Sequence, residues 1–174
     1  MQHDYHELIE LFNQQFLIPF NTVLVAGDDE PIYLPADDSS PHNRVIFAHG
    51  FYSSALHEIA HWCVAGAERR KQVDFGYWYK PDGRTELEQE EFERVEVRPQ
   101  AFEWLLAEAA GHRFHFSADN LSSGLGASDT FKQKVRDTVL ELLEKGFPPR
   151  VGQLVEALQR HYQTPPLTPE RFSI

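Results

Sequence analysis

Residues 44–66 have the sequence RVIFAHGFYSSALHEIAHWCVAG, which contains the clearest secondary-structure signals of the chain. The apolar run Arg44–Ala48 is typical of a short buried strand. A helical pattern follows from about Ser53 to Ala65, with a serine at 53 or 54 as N-cap and Gly66 as the C-terminal stop. The stretch therefore predicts a strand that leads directly into a helix.

Apolar spacing predicts further elements on both sides of this unit. They are a helix from Tyr5 to near Pro19, a strand at Asn21–Ala26, a strand-like run at Phe75–Tyr79, a helix from Pro99 to Gly111, and helices at about Asp129–Lys145 and Arg150–Tyr162. The acidic run Glu86–Glu93 suits the solvated face of a short helix or an extended loop. The proline-containing tail from Thr164 onward is expected to lie across the surface.

Composition and charge narrow the class of protein. The chain has 174 residues, 41% of them hydrophobic and 25% charged, values typical of one globular domain. Its 16 Lys and Arg against 27 Asp and Glu give a net charge of −11, which disfavours nucleic acid and anionic membranes as partners. The single cysteine, Cys63, excludes an intrachain disulfide. No segment resembles a signal peptide or a membrane span, so we expect a cytoplasmic location.

The pattern His57-Glu58-Ile59-Ala60-His61 is the main indication of chemistry. Residues four apart on a helix rise by about 6 Å and complete about one turn, so both imidazoles project from one face and can share a metal ion. Glu58 lies about 100° round the helix from His57, within reach of a metal-bound water or a substrate. Two histidines on a polar helix face, with no metal, are the alternative interpretation.

A metal held by two histidines needs a third protein ligand. We favour Glu96, because it lies between two valines where strand alternation would turn it away from its apolar neighbours. That position suits a surface acid on a half-buried strand equally well. Other candidates are Glu93, Glu103, Glu108, His112 and His115. His49, just before the motif helix, could line the site or be a hydrogen-bonded core residue.

Two histidines and one carboxylate suit two chemistries. In a zinc hydrolase Glu58 would act as general base on a zinc-bound water. In a non-haem Fe(II) oxygenase the open coordination positions would take O2. The helix-borne spacing by itself favours the hydrolase. A non-catalytic module is a third interpretation, in which His112 or His115 would close a structural metal site.

Several long stretches match, in order, those of a known family. They are Gly27–Ala36, Asn43–Tyr52, His57–Cys63, Val73–Tyr79, Pro81–Arg84 and Val95–Ala101. In these stretches the chain resembles the elongation factor P hydroxylase family. The resemblance implies hydroxylation, at a side-chain carbon, of the lysine of bacterial elongation factor P that already carries a β-lysyl group. It also implies a metal held by two histidines and one glutamate, which correspond to His57, His61 and Glu96.

With this resemblance, we predict one α+β domain over residues 1–174. A small mixed sheet carries a metal-bearing helix and C-terminal helices, an architecture similar to the zincin metallopeptidases. The predicted function is O2-dependent hydroxylation of elongation factor P at a divalent metal of the Fe(II) type, with a zinc metallopeptidase as the alternative. Glu58 is expected to position water or a substrate amine. Asp28, Asp29 and Tyr77 are candidate substrate-binding residues, because carboxylates and aromatic rings bind the amines of a β-lysylated lysine.

Overall fold

The computed structural model describes residues 2–75, 83–117 and 127–174. Within these ranges the helices are α1 (Tyr5–Phe20), α2 (Tyr52–Val64), α3 (Glu86–Ala110), α4 (Asp129–Lys145) and α5 (Pro149–Tyr162). The strands are β1 (Thr22–Ala26), β2 (Ile32–Leu34) and β3 (Asn43–Phe47). Most of the aromatic run predicted as a strand at Phe75–Tyr79 lies outside the described residues.

The three strands form a small mixed sheet in the order β1-β3-β2. β1 and β3 are parallel, with Thr22 opposite Asn43, and β2 runs antiparallel to β3, with Ile32 opposite Ile46. The mixed sheet confirms the predicted α+β class. β2 was not predicted, because three half-buried residues carry no alternation to identify them. The expected likeness to the zincins stays a prediction.

Helix α1 confirms the apolar face expected from the sequence. Leu8, Leu11, Phe12 and Phe16 are buried. The side chain of Asp4 caps the helix by accepting a hydrogen bond from the backbone N–H of His6 at 2.9 Å. The helix packs against β1 and α5, so its apolar face covers one side of the core.

Helix α2 begins at Tyr52, slightly earlier than predicted. The residue before it, Phe51, makes no side-chain capping bond, so the predicted serine N-cap is wrong. His49 and Gly50 have φ angles of 61° and 64°, and this left-handed pair turns the chain from β3 straight into the helix. The helix ends at Val64 with Ala65 as C-cap, one residue short of the predicted stop at Gly66.

Helix α3 is one continuous helix of 25 residues, whereas the sequence predicted a separate helix only after Pro99. The segment around Glu96, expected as a strand, is therefore helical. A proline inside a helix costs about 3 kcal/mol. The burial of apolar side chains before and after Pro99 offsets that cost, since Phe92 and Phe102 are both buried. A capping box between Thr85 and Glu88 begins the helix, and Gly111 ends it as predicted.

The C-terminal helices match the prediction closely. α4 has the predicted bounds, and α5 begins one residue early at Pro149. The tail from Thr164 onward was expected to lie across the surface, but it is anchored in the core. Phe172 is fully buried, and its ring centroid lies 5.3 Å from that of Trp104. α3 contacts α2, α4 and α5, so it lies at the centre of the hydrophobic core. In the described residues, none of the helices has the length and apolar character needed to cross a membrane.

Candidate metal centre

His57 and His61 point to a common centre from one face of α2, as their spacing predicted. Their Nε2 atoms are 3.2 Å apart, and their ring centroids are 4.7 Å apart. Both side chains are largely buried, because α2 packs with its motif face against α3. The two imidazole nitrogens are thus held side by side without being fully open to solvent.

Glu96 of α3 supplies a third ligand atom at the same centre. Its Oε1 atom lies 3.2 Å from Nε2 of His61, and one ligand atom from each of the three residues lies within 4.8 Å of the others. Ligand atoms bound about 2.0–2.2 Å from one ion, at angles of about 90–110°, are about 3.0–3.5 Å apart. The two distances of 3.2 Å therefore suit adjacent ligands of a single cation.

The carboxylate of Glu96 also has the chemistry of a metal ligand. Its side chain is 1% exposed, and apart from the contact of Oε1 with Nε2 of His61 its oxygens have no well-aligned hydrogen-bond partner among the described residues. Burial raises the pKa of Glu96, but His61 and His57 outweigh burial and hold that pKa below its ordinary value. A buried anion with so few polar partners is costly, and a divalent cation would offset that cost. The three residues therefore fit a metal ion.

Glu103, a rival ligand candidate in the sequence, lies behind His57 and outside this group. Its Oε1 atom is 2.6 Å from Nδ1 of His57, the ring nitrogen that faces away from His61. Burial lowers the pKa of His57, but the Glu103 carboxylate and the other nearby carboxylates outweigh burial and raise it to about 10. The sequence identified Glu103 as a candidate acid but not this contact.

The remaining ligand candidates have other partners. Glu93 accepts hydrogen bonds from Gln89 and Ser128, and Glu108 forms an ion pair with Arg171 at 3.1 Å. None of Glu93, Glu108, His112 and His115 belongs to a cluster of three ligand atoms in the described part of the chain.

Gln100 lies next to Glu96 at the candidate centre, and the sequence pattern did not single it out. It is fully buried one helical turn after Glu96, where its amide donates to the carbonyl of Ser117 and accepts from the N–H of Ser117, both at 3.0 Å. This pair of bonds fixes the segment after α3 against the helix. Residues 96, 100 and 103 have helical spacing, but Pro99 obscures this signal because a proline is typical of the first turn of a helix.

Glu58 lines two cavities. One of about 300 Å³ is lined by His57, Glu58 and Glu103, together with Arg113 and His115. The other, of about 40 Å³, is lined by Glu58, His61 and Tyr33 among others. Burial raises the pKa of Glu58 above its ordinary value, although the two imidazoles oppose the shift. Glu58 is thus placed to meet a molecule that reaches the centre from either side.

The candidate substrate-binding acids lie on the exposed turn after β1. The carbonyl of Asp28 accepts a hydrogen bond from the N–H of His49 at 2.8 Å, and the carboxylate of Asp29 lies 3.9 Å from Nδ1 of His49. Neither acid is among the described residues that line the two cavities. Tyr77 lies outside the described residues. A substrate role for these three residues stays a prediction.

Comparisons with known proteins agree with the resemblance seen in the sequence. A family model described as elongation factor P hydroxylase matches residues 11–172. A protein of Haemophilus influenzae named elongation factor P lysine hydroxylase is 57% identical over 164 residues, which are 94% of this chain and 92% of that protein. Neither comparison supports the metallopeptidase alternative. The chain therefore belongs to the elongation factor P hydroxylase family.

Proposed function

We propose that this chain hydroxylates the β-lysylated lysine of elongation factor P, as the last step of that modification, with a metal held by His57, His61 and Glu96. One observation carries the proposal: a buried, convergent set of ligand atoms lies in a chain 57% identical to a protein named elongation factor P lysine hydroxylase. In this proposal residues 1–174 act as one hydroxylase domain. Because the substrate is a translation factor, we expect the reaction in the cytoplasm.

The ligand set favours Fe(II) as the metal. Two histidines and one carboxylate that leave other positions open are typical of non-haem Fe(II) oxygenases. When bound, ferrous iron would supply the electron transfer to O2 that oxygenation of an unactivated carbon requires. The protein contributes by holding the three ligand atoms in a buried centre, where the α2–α3 packing keeps them at fixed spacing.

The larger cavity is the proposed binding place for the substrate side chain. At about 300 Å³ it has room for a long aliphatic arm, and it reaches His57 directly. Glu58 is the proposed partner of a substrate ammonium, since its carboxylate lines this cavity and an ammonium beside it would favour the ionised form. Arg113 lines the same cavity, so the ammonium is expected at Glu58 and away from Arg113.

Charge also supports a cationic substrate arm. The net charge of −11 attracts amines, and Asp28 and Asp29 expose carboxylates on one turn. We propose that this turn contacts elongation factor P near the modified lysine, and that Tyr77 belongs to the same substrate surface. Nucleic acid and membrane are not expected as partners, because the same negative charge would repel their phosphates.

Intact-mass analysis tests the proposed function. Purified chain loaded with Fe(II) is incubated aerobically, with a reductant, with β-lysylated elongation factor P, and the expected result is the addition of one oxygen atom. His57→Ala and Glu96→Ala should abolish the addition, because each removes a ligand. Glu58→Gln should bind the metal yet hydroxylate more slowly.

The matched control is Glu141→Gln, which removes an exposed carboxylate paired with Lys145 on the surface of α4. It should hydroxylate as the unmodified chain does. No added oxygen with the Fe(II)-loaded chain would contradict the proposal. Cleavage of the polypeptide that Glu58→Gln abolishes would point to peptidase chemistry instead.

A further inference from the structure

The two acids on the motif-facing side of α3 contact the two histidines in different ways. Glu96 approaches His61 at Nε2, the nitrogen that faces the metal centre. Glu103, two helical turns further on, approaches His57 at Nδ1, the nitrogen on the far side of the ring. One acid therefore belongs to the ligand group, whereas the other lies behind a ligand.

The contact with Glu103 determines which nitrogen of His57 is available. A neutral imidazole carries one N–H, and only its other nitrogen has a lone pair for a metal. An ionised carboxylate accepts hydrogen bonds and donates none, so the 2.6 Å contact requires the hydrogen on Nδ1. In the neutral ring that a metal binds, the lone pair is then on Nε2, which lies 3.2 Å from Nε2 of His61.

The surroundings make this contact rigid. The side chain of Glu103 is 7% exposed, so water competes little for its oxygens. Its neighbours Phe102 and Trp104 are buried in the core, which holds the backbone of α3 at this level. The ring of His57 is therefore fixed by a group whose own position is set by core packing.

We propose that Glu103 is a positioning residue, which holds His57 in the Nδ1–H form with Nε2 directed at the metal. The inference rests on the metal centre of the proposed function but concerns metal affinity and not the identity of the substrate. Hydrogen-bond partners of this kind typically change metal affinity by about 10- to 100-fold.

Cobalt(II) titration of the purified chain, followed by visible absorption, tests the role. Glu103→Ala should bind Co(II) about 10- to 100-fold more weakly. At saturating Co(II) its spectrum should match that of the unmodified chain, because the ligands are unchanged. Glu103→Gln should recover most of the affinity, since an amide oxygen can accept the same hydrogen bond. A purely structural role would lower the unfolding midpoint without this rescue of affinity.

The matched control is Glu108→Gln on the same helix. It weakens an ion pair with Arg171 away from the centre and should leave Co(II) affinity unchanged. Unchanged Co(II) affinity in Glu103→Ala would overturn the proposal. So would equally weak binding by Glu103→Gln and Glu103→Ala with an altered spectrum, because that result would make Glu103 a ligand.

Nitrogen-15 NMR of the unmodified chain loaded with Zn(II) keeps the proposal testable even if the alanine variant does not fold. The expected signal is an Nδ1-bound proton on His57 that exchanges slowly with water. A proton on Nε2, or metal bound at Nδ1, would overturn the proposal. These measurements use no elongation factor P, so they can succeed where the hydroxylation assay fails, and the two conclusions remain separable.

Discussion

The two halves of α3 contain the same acidic residue in opposite environments. In the N-terminal half Glu91 is 61% exposed and pairs with Arg94 on the helix surface. Near the middle of the helix Glu96, and in the C-terminal half Glu103, are almost completely buried and face the histidines of α2. One helix therefore combines a solvated acidic face with two buried acids.

The difference shows that burial, and not residue type, distinguishes the acids at the proposed metal centre from those on the surface. An exposed carboxylate is solvated by water, and a surface ion pair adds little stability. A buried carboxylate needs a cation or strong hydrogen bonds to offset its lost hydration. Glu103 has the imidazole of His57 as its partner, whereas the oxygens of Glu96 face the proposed metal. The following changes test this contrast.

The largest effect is expected from Glu96→Gln. Replacing the anionic ligand with a neutral amide should weaken Co(II) binding by more than about 100-fold, since even partners outside the ligand set change affinity by up to about that factor. Glu91→Gln, on the same helix, should titrate like the unmodified chain. The measurement is Co(II) absorbance against added metal. Tight, stoichiometric binding by Glu96→Gln would remove Glu96 from the ligand set.

The next effect is on the free energy of unfolding, when one apolar side chain in each half of α3 is truncated to alanine. Phe102 is 1% exposed, and Phe102→Ala should lower the free energy of unfolding by about 3–5 kcal/mol because it leaves a cavity in the core. Leu87 is 77% exposed, so Leu87→Ala should leave it nearly unchanged. Urea denaturation followed by circular dichroism measures both. Equal losses would mean that the two halves are buried alike.

The smallest effect on the free energy of unfolding is expected from a change at the N-terminus of α3. The hydroxyl of Thr85 accepts a hydrogen bond from the N–H of Glu88, so Thr85→Ala should lower the free energy of unfolding by about 1 kcal/mol. The control is Thr138→Ala, because Thr138 lies in the interior of α4 and its hydroxyl donates to the carbonyl of Lys134 at 2.8 Å. Urea denaturation again provides the measurement. A loss at Thr138 as large as that at Thr85 would argue against the capping role.

Local sequence patterns predicted most of the helices correctly, but the prediction for the part of α3 before Pro99 was wrong. The first half of α3 has charged residues on most sides, and Pro99 lies inside the helix. The sequence pattern therefore favoured a loop or strand before a separate helix. Packing of Phe92 and Phe102 in the core outweighs that local preference. The same error hid the shared face of Glu96, Gln100 and Glu103, because strand alternation and helical spacing assign different neighbours to a residue.

By itself the sequence determined that His57 and His61 share one face of a helix and that an acid downstream could complete a metal site. The reason is that helical spacing is local, and the five residues from His57 to His61 contain all the information it needs. The sequence favoured Glu96 but left Glu103 as a candidate, and the fold separates the two: Glu96 lies beside Nε2 of His61, whereas Glu103 lies behind His57 at Nδ1. That separation depends on how α3 packs against α2, a contact between residues more than thirty positions apart.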